Sequence, residues 1–158
     1  MRIDEAASLS SPAQIIRPML DLDSYDVSSD VQLRFRDTDA LGHVNNVVYI
    51  TWMELGRMAY TDKYLPAIDW TKRGFILANV NIDFIEPVVL NDKVKVYMKV
   101  ERVGTKSLTF GCLITRNDGS GERPAAKGTN VIVAMDYENN VSIPIPEEWK
   151  EAVANYTD

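Results

Sequence analysis

The sequence predicts an α+β domain in which one long helix lies against a five-stranded antiparallel sheet, with a short helix near the C-terminus. Apolar residues recur with the period of a helix between residues 48 and 60, and segments in which apolar and polar residues alternate flank this stretch. The later alternating segments are joined by short, turn-rich connections, which favour antiparallel neighbours. A helix followed by such a run of strands is typical of the α+β class.

The amino-acid composition indicates one globular domain. The chain has 158 residues, of which 46% are hydrophobic and 25% charged, and its formal net charge is −6. This length suffices for one domain with a buried core and is short for two. Because nucleic-acid binding uses a basic surface, the negative charge predicts no nucleic-acid partner.

Cysteine use and the distribution of apolar residues indicate the cellular setting. The only cysteine, Cys112, lies in an alternating segment, which predicts a buried thiol in a strand rather than a reactive one. No apolar run reaches transmembrane length, and the initial MRIDEAASLSSPAQ lacks the apolar core of a signal peptide. We therefore expect a cytoplasmic protein without a membrane partner.

The first regular element is predicted to be a half-buried strand that begins at Asp30. Val31, Leu33 and Phe35 alternate with polar residues in this segment. Residues 1–25 show no comparable pattern and are interpreted as a loosely ordered extension, which leaves residues 26–158 as the domain.

The next element is the long helix. Its apolar residues form two adjacent stripes, which are Val48, Trp52, Leu55 and Ala59, and Tyr49, Met53 and Tyr60. A helix that is apolar over so wide an arc needs cover on most sides. We expect either a sheet that curls around it or a sheet together with a partner subunit.

Four alternating segments follow Gly74, and they predict the remaining strands. They cover residues 76–84, 94–100, 108–114 and 125–135. The first of them is predicted to be an edge strand. The closing PIPEEWKEAVANY places Pro146 and two glutamates where a helix start favours them, which predicts the short C-terminal helix.

The junction between the first strand and the helix, RFRDTDALGHVNN, carries the strongest functional signal. Asp39 precedes a predicted helix start near Asn45, and Gly42 allows a sharp bend between them. The first N–H groups of a helix have no intrahelical partners and lie at the positive end of its dipole, so they suit a carbonyl oxygen that is becoming negative. Asp39, ionised at neutral pH, is a candidate nucleophile or general base.

Structural interpretations of the same residues remain open at this stage. Asp, Asn and Gly before a helix are common capping residues. Asp37 is interpreted as a loop or capping carboxylate, and His43 alone would be a structural hydrogen-bonding group. The ligand set of Asp37, Asp39 and His43 lacks support from any other His or Cys cluster, so we predict no metal and no cofactor.

The segment RFRDTDALGHVNNVVYITWMELGR resembles the acyl-CoA thioesterases of the hotdog fold, specifically the 4-hydroxybenzoyl-CoA thioesterase-like group. NIDFIEPVVLNDKVKV, RVGTKSLTF and IPEEW agree with this resemblance, which covers about residues 30–150. The resemblance implies a hotdog fold, in which a five-stranded antiparallel sheet wraps around one long helix. It also implies hydrolysis of a thioester to a free acid and coenzyme A.

The resemblance also implies roles for particular residues. Asp39 matches the catalytic carboxylate, and the backbone amide near Asn46 matches the donor that polarises the thioester carbonyl. His43, Asn45 and Tyr49 are candidate substrate-binding residues that would line the acyl pocket.

A turn between two later strands matches the family's usual contact with the nucleotide end of coenzyme A. It consists of Thr105, Lys106 and Ser107, of which Lys106 offers a cation for phosphate. A solvated hairpin lysine is the alternative. On the helix, Glu54 and Arg57 are three residues apart and are interpreted as a surface or interface ion pair.

The resemblance implies a homodimer, or a tetramer of such dimers, whose active sites draw on two chains. Two other functions stay open: a hydratase or dehydratase of acyl thioesters on the same fold, and a non-catalytic acyl-CoA binding protein. Thioesters of a carrier protein are a variant of the favoured substrate, although an acidic enzyme attracts an acidic carrier poorly.

Overall fold

The structure, a computed structural model, describes residues 20–65 and 68–154. The predicted extension therefore lies, up to residue 19, outside the described residues. The elements are β1 (Val27–Val31), α1 (Asn46–Tyr64), β2 (Arg73–Phe84), β3 (Lys93–Val103), β4 (Ser107–Asn117), β5 (Glu122–Asp136), β6 (Val141–Ser142) and α2 (Glu147–Ala154). Within these described ranges, no helix is long and apolar enough to span a membrane.

The strands form one antiparallel sheet in the order β1-β3-β4-β5-β2, and the two-residue β6 pairs with β5. α1 lies across the inner face of this sheet and contacts β1, β3 and β4. The predicted α+β class, with five main strands, one long helix and a short C-terminal helix, is confirmed. The predicted position of β2 at an edge is also confirmed.

The helix approaches the sheet closely because a glycine faces β3. A Cβ atom on Gly56 would come within 2.9 Å of the Met98 Cε atom. Tyr60 is fully buried, and its ring meets the Phe110 ring edge-on at 5.2 Å. The predicted stripe of Tyr49, Met53 and Tyr60 therefore faces the sheet.

The second predicted stripe is only partly covered. Trp52 is buried, but the side chain of Leu55 is 46% exposed. Val47 and Ile50, on the adjoining helix surface, are also exposed. Within the described residues, the sheet alone therefore leaves part of the apolar helix surface uncovered.

The first strand ends earlier than its alternation predicts. β1 stops at Val31, which pairs with Val94, and residues 35–37 form a short 3-10 turn. β3 begins at Lys93, so the sheet offers no partner strand beyond this point. Phe35 is 82% exposed as a result, and the prediction of a strand continuing to it was wrong.

A bulge interrupts the predicted alternation of β2. The pairing with β5 shifts between Leu77 and Asn79, so Ala78 has no paired residue. A bulge moves the side chains on one side of it to the opposite face of the sheet. Phe75 accordingly packs against the core and Leu77 lines a cleft beside α1, while Ile76 is 47% exposed.

Candidate active site

The loop between β1 and α1 is closed by the side chain of Asp39. Its Oδ1 atom accepts hydrogen bonds from the backbone N–H groups of Leu41 at 2.8 Å and His43 at 3.1 Å. The Asp39 N–H donates to the His43 carbonyl at 2.7 Å. Gly42 adopts a φ of 78°, which is the left-handed region that glycine enters without steric cost. These contacts fix the Asp39 carboxylate in one orientation.

Asp37 has a separate, local role. Its Oδ2 atom accepts a hydrogen bond from the Arg34 N–H at 2.9 Å across the 3-10 turn. The interpretation of Asp37 as a capping carboxylate is therefore confirmed.

Asn45 is the N-cap of α1. Its Oδ1 atom accepts a hydrogen bond from the Val47 N–H at 3.2 Å, and the Val48 N–H donates to the Asn45 carbonyl at 2.9 Å. Asn46 is the first helical residue, and no hydrogen bond among the described residues uses its N–H. This N–H is thus a donor at the positive end of α1 without an acceptor in the described part of the chain.

The loop and the start of the helix form one side of a cleft of about 280 Å³. The end of β2 and the segment after it form the other side. The lining residues are Asp39, His43, Val44, Asn46, Tyr49, Phe84, Ile85, Glu86 and Pro87. The structure therefore brings together four of the predicted site residues, whereas Asn45 caps the helix and does not line the cleft.

The cleft has an apolar floor. Tyr49 is 2% exposed, and its ring meets the Phe84 ring edge-on at 5.1 Å. Burial raises the pKa of Tyr49, so its hydroxyl is uncharged at neutral pH. The phenol therefore contributes apolar surface and a neutral polar group.

Two arginines hold the opposite wall, and sequence analysis missed both. Arg123 donates from Nε to the Glu86 carboxylate at 3.1 Å. Arg116 donates to the Pro87 carbonyl at 2.8 Å and to the Asp92 carboxylate at 3.0 Å. Arg116 lies near the end of β4 and Arg123 near the start of β5. They are 29 and 37 residues along the chain from Pro87 and Glu86, respectively, in this wall. The alternation of β4 and β5 gave no signal for these long-range contacts.

The wall is joined directly to the Asp39 loop. The Val44 N–H donates to the Val88 carbonyl at 2.8 Å, and His43 forms a β-bridge with Val89. Asp92 in turn accepts a hydrogen bond from the Val89 N–H at 2.9 Å. The arginines thus help to position both sides of the cleft.

The predicted coenzyme A turn lies at the opposite end of the sheet. Lys106 donates from Nζ to the carbonyl and hydroxyl oxygens of Ser142, at 3.0 and 3.1 Å. β3 has 11 residues, which corresponds to about 35 Å, and it separates Thr105, Lys106 and Ser107 from the cleft. Within one chain, the structure does not bring this turn and Asp39 together.

Glu54 and Arg57 form no salt bridge among the described residues, so the predicted ion pair is not found on the surface of the single chain, and an interface pair stays a prediction. The Glu54 charge nevertheless acts on Arg57, because burial of the guanidinium lowers its pKa and the Glu54 charge raises it. Arg57 is only 5% exposed, and its Nη1 atom donates to the Asn130 Oδ1 atom at 3.3 Å. Gly56 brings this part of α1 close to the sheet, so that the guanidinium lies over β5 instead of on the surface.

Comparisons with known proteins agree with the fold and the motifs. Residues 33–153 match the model of a family described as the thioesterase-like superfamily. A thioesterase from Thermus thermophilus, solved in complex with coenzyme A and Zn, is 33% identical with a TM-score of 0.75, over 85% of this chain and 96% of that chain. The uncharacterized protein YsmA of Bacillus subtilis is 27% identical over 130 residues, which are 82% of this chain and 86% of that protein.

A further solved structure supports the fold alone. Slr0204, a 1,4-dihydroxy-2-naphthoyl-CoA thioesterase from Synechocystis, is 16% identical with a TM-score of 0.69, over 83% of this chain and 97% of that chain. Together, the antiparallel sheet with its central helix and the match over residues 33–153 show that this chain belongs to the thioesterase-like superfamily of the hotdog fold and is a thioester hydrolase.

Proposed function

We propose that the protein hydrolyses acyl-CoA thioesters in the cleft between the Asp39 loop and the end of β2. The observation that carries this proposal is the shared cleft of Asp39 and Asn46. One offers a carboxylate, and the other offers a backbone N–H at the start of a helix. A thioester carbon between them would meet a nucleophile or base on one side and an oxyanion donor on the other.

Asp39 acts through the carboxylate oxygen that the loop does not use. Both side-chain hydrogen bonds of the loop go to Oδ1, and no hydrogen bond among the described residues uses Oδ2. Oδ2 attacks the thioester carbonyl directly and expels the coenzyme A thiolate, leaving an acyl anhydride that water then hydrolyses. Alternatively, Oδ2 removes a proton from a water molecule that attacks the same carbon.

The Asn46 N–H hydrogen-bonds to the carbonyl oxygen as it becomes negative. Loss of a single donor of this kind costs about 10²–10³ in kcat in well-studied enzymes. Tyr49 and His43 line the same cleft and serve as walls for the acyl group. Asn45 contributes indirectly, because its cap fixes where α1 begins.

Coenzyme A is the proposed carrier, and a second copy of the chain completes its site. The T. thermophilus relative was crystallised with coenzyme A, which supports the choice of carrier. Lys106 lies at the far end of the sheet from the Asp39 of the same chain. The nucleotide end of a coenzyme A molecule whose thioester lies at Asp39 of one copy therefore contacts the Lys106 turn of another copy. The edge strand β2 carries exposed apolar side chains, including Ile76 and Phe84, and is the proposed contact between copies.

The test is a panel of acyl-CoAs with short, long and aromatic acyl groups, assayed for release of a titratable thiol. We expect thiol release with at least one of these groups. An enoyl-CoA serves as the control, because hydration removes its ultraviolet absorbance without releasing a thiol. Absorbance loss without thiol release would show a hydratase, and binding without either reaction would show a non-catalytic protein.

A further inference from the structure

The cleft of Asp39 contains a second carboxylate. Glu86 lines this cleft on the wall that follows β2. Its side chain is 36% exposed, so a molecule in the cleft can reach it. Hydrolysis as proposed uses the Asp39 carboxylate and the Asn46 N–H, which leaves Glu86 as a charged group in the cleft without a task.

Glu86 lies beyond the edge strand. β2 ends at Phe84, and the N–H groups of Ile85 and Glu86 both donate to the Ala125 carbonyl, at 2.8 and 3.1 Å. The chain leaves the β2–β5 ladder at this point and runs along the Asp39 loop. The proposed contact between copies along β2 therefore does not include Glu86.

The register of this segment places Glu86 opposite the helix start. His43 and Val89 form an antiparallel bridge. In an antiparallel pair, each step forward on one chain is matched by a step back on the other, so position 46 stands across from position 86. Both residues also line the same cleft. Glu86 thus lies across from Asn46, whose N–H is the proposed donor to the thioester oxygen.

Two arginines hold one oxygen of the Glu86 carboxylate. Arg123 donates from Nε to Oε2 at 3.1 Å, and Nη1 of Arg116 lies 4.0 Å from the same oxygen. Arg123 is fixed in turn, because its Nη1 and Nη2 atoms donate to the Asp118 carboxylate at 3.2 and 2.7 Å. The Glu86 side chain is therefore oriented before any ligand enters the cleft.

The other oxygen of Glu86 is an acceptor without a donor. No hydrogen bond among the described residues uses Oε1. An ionised carboxylate accepts hydrogen bonds and donates none, so the complementary group is an N–H or O–H. The positive charges of Arg123 and Arg116 offset that of Glu86, which weakens its repulsion of an oxyanion at Asn46.

We propose that Glu86 is a specificity-determining residue whose Oε1 atom accepts a hydrogen bond from an N–H or O–H group of the thioester substrate. This inference rests on the proposed function, because the thioester must lie between Asp39 and Asn46. The donor belongs either to the pantetheine arm, whose nearest amide N–H is separated from the sulfur by an ethylene group, or to a hydroxyl of the acyl group. An ionised acceptor makes such a hydrogen bond strong.

Glu86→Gln exchanges the acceptor for a donor without changing the shape of the side chain. Arg123 Nε is a donor and therefore keeps the amide oxygen of the glutamine. The amide NH₂ then occupies the position of Oε1 and faces the substrate donor with a second donor. A preference for substrates with the N–H or O–H should disappear or reverse in this variant. Glu86→Ala only removes the acceptor, so the preference should disappear without reversing.

The first substrate pair tests the pantetheine arm. It consists of the N-acetylcysteamine thioester of the best acyl group of the panel and the analogue in which an ester oxygen replaces the amide N–H. Thiol release is measured and normalised to the rate of alkaline hydrolysis of each compound. If the arm supplies the donor, kcat/KM of the wild type should be about tenfold higher for the amide.

The second pair tests the acyl group. It compares acyl-CoAs of equal length with and without a hydroxyl at C2 or C3, again by thiol release. If the acyl group supplies the donor, the wild type should prefer the hydroxylated substrate about tenfold. A preference in either pair that Glu86→Gln abolishes supports the inference and identifies the donor. Equal rates within both pairs, or a preference that both Glu86 variants retain, overturn it.

Glu122→Gln is the matched control. The Glu122 carboxylate also uses a single oxygen, which accepts from the hydroxyl groups of Tyr97 at 2.7 Å and Thr115 at 2.6 Å. Glu122 does not line the cleft, so its variant should keep the wild-type preference. Loss of the preference in this control as well would overturn the inference. Circular dichroism checks that each variant is folded, and Glu86→Ala decides the question if Glu86→Gln is not.

Binding of non-hydrolysable thioether analogues, measured by calorimetry, separates this inference from the proposed function. The analogues are acylpantetheine thioethers with and without the N–H or the hydroxyl. Tighter binding of the donor-bearing analogue by the wild type, but not by Glu86→Gln, supports the inference even if no thioester is hydrolysed. Hydrolysis of the thioesters without any donor preference overturns the inference and leaves the proposed function in place.

Discussion

Asp39 and His43 are joined by two hydrogen bonds of opposite direction: the Asp39 N–H donates to the His43 carbonyl, and the His43 N–H donates to Asp39 Oδ1. Both bonds use the backbone of His43 and neither uses its imidazole. The ring lines the cleft, but the orientation of the carboxylate does not depend on it.

His43→Ala should therefore leave kcat close to the wild-type value and act mainly on KM. The backbone bonds that orient Asp39 are retained, and only a wall of the cleft is lost. Steady-state kinetics with the best acyl-CoA of the panel measure both constants. A loss of kcat comparable with that of an Asp39 variant would instead give the imidazole a role in the chemistry.

Gly42→Ala should lower the free energy of unfolding by about 1 kcal/mol, because a side chain disfavours the left-handed backbone conformation. No atom lies within 4 Å of the added Cβ, so the loss of stability comes from the φ of 78° at Gly42 and not from a steric clash with a neighbouring residue. Urea denaturation measures the loss. Gly119→Ala is the matched control, since Gly119 has a φ of 100° and the same open space but lies between β4 and β5, outside the loop that the Asp39 side chain closes. Only Gly42→Ala should also lower kcat.

Arg116→Met should destabilise the protein by about 3 kcal/mol, because it leaves the buried Asp92 carboxylate without its partner. The Asp92 side chain is 1% exposed and that of Arg116 is 12% exposed. The control is Arg73→Met, which breaks an ion pair with Glu148 whose side chains are about half exposed, and which should cost less than about 1 kcal/mol. Equal losses in urea denaturation would contradict the role given to Arg116.

Cys112 should not react with a thiol reagent in the native protein. Burial raises the pKa of its thiol to about 12, so the reactive thiolate is absent at pH 8. Titration with a chromogenic disulfide should find no thiol in native protein and one per chain in urea. A native thiol that reacts rapidly would show that β4 opens or that the site is accessible.

The raised pKa of Cys112 makes the free energy of unfolding depend on pH. In the unfolded chain the thiol ionises near pH 8.5, whereas in the native protein it stays protonated to about pH 12. The contribution of Cys112 to stability is thus complete below pH 8.5 and is lost progressively as the pH rises through this interval. Cys112→Ala should remove this part of the alkaline dependence in urea denaturation at several pH values.

Local patterns predicted the elements well because each is decided by residues close in the chain. The periodicity between residues 48 and 60 identified α1, and the acid–glycine–amide order identified the loop that precedes it. Asp39, His43, Asn46 and Tyr49 share one cleft because the loop and the helix start are neighbours in sequence.

The errors arose where distant parts of the chain decide the outcome. β1 ends where β3 offers no further partner, and the bulge at Ala78 shows only in the pairing with β5. Arg57 could not be recognised as buried, because its partner Asn130 is 73 residues away. Arg116 was missed for the same reason, because it is 29 residues from Pro87 in the chain and contacts it only in the folded protein.

The central claim is that the Asp39 carboxylate takes part in hydrolysis, and Asp39→Asn tests it most directly. The amide oxygen of asparagine still accepts the hydrogen bonds of Leu41 and His43, so the loop should be kept, whereas Asp39→Ala would lose those bonds as well. Single-turnover thiol release with the best acyl-CoA is the measurement, with circular dichroism as the check on folding. We expect a folded Asp39→Asn protein whose rate is lower by several orders of magnitude, on the order of 10³-fold or more. Turnover near the wild-type rate in that folded variant would contradict the account.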